Sequence, residues 1–321
     1  MRALLLLPLS AIYYIIYIIW NIYWQKKKSV KINANVISIG NITVGGAGKT
    51  SIAGHLAEAL LARGKKVALV ARGFGRPEKA PVIVYGGEET DWRKCGDEPA
   101  ILARTIKGLS IYVDSNKTEA AIKAAHDGFE YIIIDDGFQH RNLARVYDIV
   151  CLDGKNPFGN GLLLPSGRLR EPKKALRRAN AIILIDPGSN SIKLPTAVPV
   201  FQAHKKIIGI KSLTGEPVDL TGKKVIGFCG LGNPESFHSS LETYGCQIAE
   251  FMPFPDHHIY DEGDIFEISK RVCLSEAVGA VTTLKDLVKL EQLWPADISL
   301  HYLEIVIELD NESEFYKLLG L

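Results

Sequence analysis

Six short runs, VISIG (36–40), KVALVAR (66–72), LSIYVD (109–114), YIIIDD (131–136), DIVCLD (148–153) and AIILID (181–186), are apolar almost without interruption. Runs of this length and continuity suit strands covered on both faces, as in a parallel sheet with helices packed on either side. Helical apolar spacing fills the gaps in TSIAGHLAEALLARG and TEAAIKAAHDG, each ending at a glycine stop. The spacing therefore predicts an α/β fold built from βα units. A second set, IIGIKSL, VIGFCGLG, CQIAEFMPF, AVGAVTT and LEIVIEL, follows the Pro/Gly/Ser-rich stretch DPGSNSIKLPTAVP (186–199). This predicts a larger part over 31–205 and a smaller α/β part over 206–321, with a boundary or hinge near 200–220. A chain of 321 residues with 47% hydrophobic composition can fill such a core.

The 38 basic and 36 acidic residues leave a net charge of only +2, so no nucleic-acid partner is expected. Five cysteines without a C-x-x-C pair suggest neither a disulfide framework nor a thiolate zinc site, which fits a reducing cytoplasm.

Residues 1–30 read differently. From Ala3 to Trp24 there is no charge, with Arg2 before and Gln25, Lys26, Lys27 and Lys28 after. As a helix this segment would be about 33 Å long, near the thickness of a bilayer's hydrocarbon core. Tyr13, Tyr17, Trp20 and Trp24 recur at helical spacing beside Tyr14 and Asn21, whereas Ile12, Ile15, Ile16, Ile19 and Ile22 lie largely elsewhere. The aromatic side is expected in the headgroup layer, giving an in-plane or shallowly inserted helix. A true span is the main alternative. A buried core helix or a cleaved signal peptide fits less well, since no small-x-small site precedes the lysines. Those lysines would keep the following domain on the cytoplasmic side of the membrane.

VGGAGKTS (44–51) joins the first strand to the first helix of the α/β part. Such a turn aims backbone N–H groups and a helix N-terminus at one point, where polyphosphate sits. The expected cradle is Thr43, Val44, Gly45, Gly46, Ala47, Gly48, Lys49, Thr50 and Ser51, with Lys49 on the β and γ phosphates and Thr50 toward Mg²⁺. Thr43 occupies the place of the usual first glycine. YIIIDDGFQH ends a strand in Asp135 and Asp136, at the sheet edge where α/β folds hold ligands, and supplies the expected metal carboxylates. No N-K-x-D element is present: Asn116-Lys117-Thr118-Glu119 and Thr283-Leu284-Lys285-Asp286 both miss it, which weakens a GTPase-type switch. A kinase needs a proton acceptor, and Asp97 and Glu98 of KCGDEP, in a polar loop before a helix opening at Pro99, are candidates. FPDHHIYDEGD brings Asp256, His257 and His258 together, either to complete that base across two domains or as a zinc-like cluster. GFCGLGNPESF lacks the dinucleotide order of glycines and reads as packing at a strand-to-helix turn.

The apolar N-terminus, ISIGNITVGGAGKTS, ARGFGR, GDEP, DDGFQH, LLLPSGRLREP, FPDHH and TTLKD, in this order, resemble the tetraacyldisaccharide 4'-kinase family over nearly the whole chain. The resemblance implies a two-domain P-loop α/β fold, with ATP and Mg²⁺ as cofactors. It also implies transfer of the γ-phosphoryl group to the 4'-hydroxyl of a tetraacylated, β-1',6-linked glucosamine disaccharide 1-phosphate, giving lipid IVA at the cytoplasmic face of the inner membrane. By similarity Asp97 is the base and His257 its orienting partner. Lys49, Thr50, Asp135, Asp136 and Glu171 would handle phosphate and metal. Arg72, Arg76, Gln139, His140, Arg168 and Arg170 would line the substrate cleft, because guanidinium forks bind phosphate. Phe74 stands where relatives often carry tyrosine. A membrane-tethered NTPase switch or metallochaperone, and a silent nucleotide-binding scaffold, are the readings from other classes.

Overall fold

The computed structural model describes residues 5–188 and 194–321. The start of the apolar segment, and 189–193 of the stretch expected to separate the two halves, lie outside the described residues.

Helix α1 (Leu7–Lys26) carries Pro8 in its first turn, where the missing N–H removes no helix bond. The phosphate-loop half follows with β1 (Asn35–Gly40), α2 (Lys49–Ala62), β2 (Val67–Ala71) and β3 (Val82–Tyr85). Next come α3 (Trp92–Cys95), α4 (Asp97–Thr105), β4 (Ser110–Val113), α5 (Lys117–His126), β5 (Tyr131–Asp135), β6 (Tyr147–Asp153) and β7 (Ala181–Ile185). The second half holds β8 (Val200–Ser212), β9 (Pro217–Val218), β10 (Lys224–Cys229), α6 (Pro234–Tyr244), β11 (Gln247–Pro253) and α7 (Glu262–Leu274). It closes with β12 (Ala280–Thr283), α8 (Leu284–Leu290), β13 (Leu300–Leu309) and α9 (Glu312–Leu318).

All six apolar runs are strands, and β2, β4 and β7 are buried along their whole length. They lie in one sheet of order β11-β10-β12-β13-β8-β7-β6-β1-β5-β2-β4-β3. The pairs from β8 to β4 are parallel, as expected of βα units. Strand β3, which alternation in a four-residue VIVY barely signals, adds an antiparallel edge on β4.

The sheet does not stop between the two halves. Strand β8 is parallel to β7 at its start and antiparallel to β13 along its length, from Ala203 opposite Leu309 to Ser212 opposite His301. The expected boundary at 205/206 falls inside this strand. Core composition still changes here: Phe228, Tyr260, Ile268, Leu287 and Tyr302 pack together in the second half. Phe315, Tyr316 and Leu319, at the chain's end, belong instead to the core of the first half with Leu56 and Leu60. We propose that the two parts meet at the β8–β13 ribbon rather than across a linker.

The face of α1 differs from expectation. Its aromatic and polar side turns inward: Tyr17 is buried, Tyr13 Oη donates to the Arg170 carbonyl at 2.8 Å, and Arg141 donates to Asn21 Oδ1 at 2.7 Å. The isoleucines face outward, with Ile15 58%, Ile16 59% and Ile19 64% exposed. Polar handles on a helix find carbonyl and guanidinium partners more readily on a protein surface than at an arbitrary depth in lipid, which accounts for the reversal.

Candidate active site

Strand β1 ends in Gly40, where a β-carbon would lie 2.6 Å from the Phe138 backbone nitrogen, so only glycine lets β1 and the Asp136–Gly137–Phe138 turn meet. The ladder pairs Ile39 with Asp135, placing the phosphate loop beside the two aspartates. Gly48, at φ +64°, takes the left-handed conformation that turns the loop into α2, a geometry that glycine adopts without strain. From the first turn of α2, Thr50 Oγ1 donates to Asp135 Oδ2 at 3.0 Å, and Lys49 Nζ lies 3.7 Å from Asp136 Oδ1.

Asp136 has φ +46°, a strained conformation for a residue with a side chain. Lys117 steadies it: this buried ammonium, at the start of α5, donates to the carbonyls of both Asp135 and Asp136. Burial pushes the Lys117 ammonium below its usual pKa, opposed by both aspartates. Burial raises the Asp135 carboxyl despite Lys117 and Lys49. At Asp136 burial is outweighed by Lys49, Arg170 and Lys117, which hold the carboxyl below its usual range.

The LLLPSGRLREP segment lies along the mouth of this loop. Val44 N donates to the Arg168 carbonyl and Arg170 N to the Ile42 carbonyl, both at 2.8 Å. Arg168 folds its guanidinium onto the Val44 carbonyl (3.0 and 3.2 Å), where any side chain at Gly45 would collide with it. Arg170 donates to both oxygens of Asp136 at 3.0 and 3.2 Å. Glu171 is fully buried and takes a two-pronged contact from Arg178 plus a bond from Gln139 Nε2 at 2.9 Å, while Gln139 also reaches the Asn41 carbonyl. His140 Nε2 lies 2.8 Å from Thr118 Oγ1, and burial lowers its pKa to about 4, leaving a neutral imidazole at pH 7.

A second cluster faces the first. Asp97 is the buried first residue of α4, rather than part of a polar loop. Its position depends on glycine meeting glycine: Gly96 has φ +96°, and a β-carbon there would lie 3.1 Å from Gly73 Cα in the ARGFGR loop. His257 Nδ1 lies 2.8 Å from Asp97 Oδ2, Lys289 Nζ lies 3.5 Å from the same oxygen, and Lys285 Nζ is 3.3 Å from His257 Nε2. His257 itself is left-handed at φ +59°. Burial would raise the Asp97 carboxyl, but the His257 hydrogen bond with Lys289 and Lys285 overrides it and holds the group below the usual range. Glu98 joins the two clusters electrostatically. Burial, then Asp135 and Asp97, lift its carboxyl to about 7 against the pull of Lys285 and Lys49.

A raised carboxyl binds a proton in the folded protein before the unfolded chain does, so between about pH 4.5 and 7 stability falls as pH rises. Glu98→Gln is therefore expected to stabilise the protein at pH 8, by roughly 1–3 kcal/mol, while changing little at pH 4. Thermal unfolding at both pH values checks this, and an equal shift at each would count against it.

A family model described as Tetraacyldisaccharide-1-P 4'-kinase matches residues 2–320. The chain belongs to the tetraacyldisaccharide 4'-kinase family. It is 35% identical over 340 residues to the Tetraacyldisaccharide 4'-kinase of Syntrophus aciditrophicus (strain SB), covering 98% of this chain and 91% of that one. The Tetraacyldisaccharide 4'-kinase of Aquifex aeolicus (strain VF5) is 33% identical over 327 residues, covering 98% and 97%. A crystal structure described as the "apo" form of LpxK from Aquifex aeolicus in complex with ATP matches with a TM-score of 0.83 at 32% identity, covering 100% of this chain and 99% of that one. The P-loop α/β fold expected from the sequence is the fold of this family.

Several expected site residues lie together. Lys49, Thr50, Asp135, Asp136 and Arg170 form one group, and Asp97 with His257 the other. His258 turns away to Asp264 at 2.8 Å, and Asp256 pairs with Lys285 at 2.9 Å. The D-H-H stretch is thus no metal cluster, and among the described residues no three His, Cys, Asp or Glu side chains gather around one point. Arg76 is a correction: it is buried, and its guanidinium donates to the carbonyls of Lys79, Ala80 and Lys94, so it shapes the ARGFGR loop instead of meeting an anion. Arg72 is exposed and close enough to depress the Lys117 pKa. Phe74, 66% exposed, lays its ring edge-on to His257 at 5.3 Å between centroids. Sequence reasoning missed Lys117, Lys285 and Lys289; Lys285 had a signal in TTLKD, while the other two read as ordinary helix-surface lysines. The GFCGLGNPESF turn packs as expected, with Gly230 N donating to buried Asp286 at 3.0 Å.

Proposed function

We propose that the protein transfers the γ-phosphoryl group of ATP to the 4'-hydroxyl of a tetraacylated, β-1',6-linked glucosamine disaccharide 1-phosphate, making lipid IVA. The observation that carries this reading is the Asp97–His257 pair set opposite a phosphate loop whose Lys49 and Thr50 already meet Asp136 and Asp135. Membership of the family and the likeness to a relative crystallised with ATP support the nucleotide and the glycolipid.

In this mechanism the 4'-oxygen attacks the γ-phosphorus while its proton passes to Asp97, and the bond to the β–γ bridging oxygen breaks. A carboxyl held below its usual range suits a loose transition state, because the attacking hydroxyl loses its proton late. His257 and Lys289 fix the carboxylate's orientation. Lys49 follows the charge that develops on the phosphate oxygens, and Arg168 and Arg170 stand at the mouth for further anionic groups. Thr50, Asp135 and Asp136 offer hydroxyl and carboxylate oxygens, a hard donor set that fits Mg²⁺. When bound, Mg²⁺ would neutralise charge on the β and γ phosphates. Glu171, committed to Arg178 and Gln139, is better placed to brace the loop than to join that set.

The lipid substrate gives α1 a purpose. A four-chain glycolipid stays in its bilayer, since each buried methylene contributes about 0.8 kcal/mol, so the kinase must work at the surface. The exposed isoleucine face of α1 suits insertion among acyl chains, and an open cleft of about 380 Å³ between α1 and the 161–174 segment, lined by Tyr14, Leu163, Leu169, Lys173 and Lys174, has both apolar and basic sides. We place the protein on the cytoplasmic face of the inner membrane. Deleting residues 1–24 is expected to move most of the protein from the membrane pellet to the supernatant; a truncated form that still sediments fully would remove the anchor.

Incubation with labelled ATP and the disaccharide 1-phosphate lipid in detergent micelles tests the activity. Mg²⁺-dependent label on the lipid is the expected result. GTP hydrolysis without lipid transfer would favour a membrane-tethered switch or metallochaperone, and nucleotide binding alone a silent scaffold.

A further inference from the structure

We infer that α1 is a strut of the phosphate site as well as an anchor, with Ser10 and Tyr13 acting as positioning residues for the segment that carries Arg168, Arg170 and Glu171. This rests on the reading that the 44–51 loop holds ATP.

The argument follows the bonds outward from the phosphate loop. The side chains at its mouth, Arg168, Arg170 and Glu171, all come from the segment that runs antiparallel to the loop at Thr43 and Leu169. That segment is held from behind by α1. Ser10, buried, donates through Oγ to the Leu163 carbonyl and accepts from Ser166 N, both at 3.0 Å. One turn on, Tyr13 Oη donates to the carbonyl of Arg170, the residue whose guanidinium grips Asp136. The next residue, Glu171, anchors Gln139 against the Asn41 carbonyl just ahead of the loop. Two successive turns of one helix therefore hold the backbone of the segment that shapes the loop's mouth.

The two roles of α1 lie on opposite faces, which makes them separable. Ile16 and Ile19 are exposed, while Ser10 and Tyr13 bond inward. The segment is also bonded to the loop itself, by Val44 N on the Arg168 carbonyl and Arg170 N on the Ile42 carbonyl, so losing an α1 bond loosens it without releasing it; one hydrogen bond of this kind changes an equilibrium by about 3- to 10-fold.

The test uses full-length protein in detergent micelles, with ATP affinity measured calorimetrically, turnover measured on the glycolipid, and partition measured on anionic phospholipid vesicles. Tyr13→Phe and Ser10→Ala remove only the hydroxyls that make these bonds. Each is expected to lower kcat and ATP affinity by about 3- to 10-fold, with lipid KM and vesicle partition within about twofold of wild type. Ile16→Ser with Ile19→Ser is expected to do the reverse: weaker vesicle partition, unchanged ATP affinity. Wild-type ATP affinity and kcat in the Ser10→Ala, Tyr13→Phe double variant would overturn the strut, as would a loss confined to vesicle partition. If wild-type protein binds ATP but labels no lipid, the kinase reading fails, and the ATP-affinity comparison still decides the strut.

Discussion

Lys49→Ala is expected to lower kcat by about 10³-fold or more, with the protein still folded. The ammonium sits 3.7 Å from Asp136, whose carboxyl it helps keep ionised. Its removal takes away the cation aimed at the transferring phosphoryl group and leaves the strained Asp136 turn to Arg170 and Lys117. Neither Lys117 nor Arg170 is free to substitute, because Lys117 is committed to two carbonyls and Arg170 to the carboxylate. Single-turnover rates on the lipid, with circular dichroism to verify folding, measure this. A loss below tenfold would mean that the loop's phosphate contacts are made by backbone alone.

Asp97→Asn is expected to reduce kcat by about 10²- to 10⁴-fold while ATP affinity stays within about threefold of wild type. Asparagine preserves size and a hydrogen bond to His257, so the change isolates proton acceptance. A parallel loss of nucleotide binding would argue for a positioning or metal role instead. The pH dependence follows from the sign of the shift. The Asp97 carboxyl is held below its ordinary 3.8, so it is ionised throughout neutral and mildly acidic solution, and its own acid limb lies below that value. The stability it contributes is present above its unfolded pKa and is lost as pH falls through the lower folded one. Activity that decays near pH 7 in wild type would therefore belong to another group, and Glu98, lifted to about 7, is one candidate beside it.

Much of the first half was legible because burial on two faces writes itself as uninterrupted Val, Ile and Leu, and because a phosphate loop needs its glycines and Lys-Thr in a fixed local order. The pairing of Asp97 with His257 was of another kind. The two lie 160 positions apart, and nothing in their spacing brings them together; the expectation came from resemblance to a family, and the geometry supplies the 2.8 Å contact. Arg76 shows the opposite case. An arginine in a glycine-rich loop looks the same in sequence whether it awaits an anion or donates to carbonyls, and only the folded loop distinguishes them. The inward face of α1 was misread for a similar reason, since its acceptors, the carbonyls of Leu163 and Arg170, belong to a segment about 150 residues away. Lys117 and Lys289 were missed because a buried lysine carries no local mark of its burial.

The ribbon formed by β8 and β13 bears on how the Asp97–His257 contact can open. With a nine-pair antiparallel ladder in place of a flexible tether, any separation of the two clusters would have to twist hydrogen-bonded strands, and the irregularity between Glu304 and Ile305 is where such torsion would concentrate most easily. Were the halves to part, the base and its partner would move as jaws on a leaf spring, guided back to one register by the ribbon that joins them.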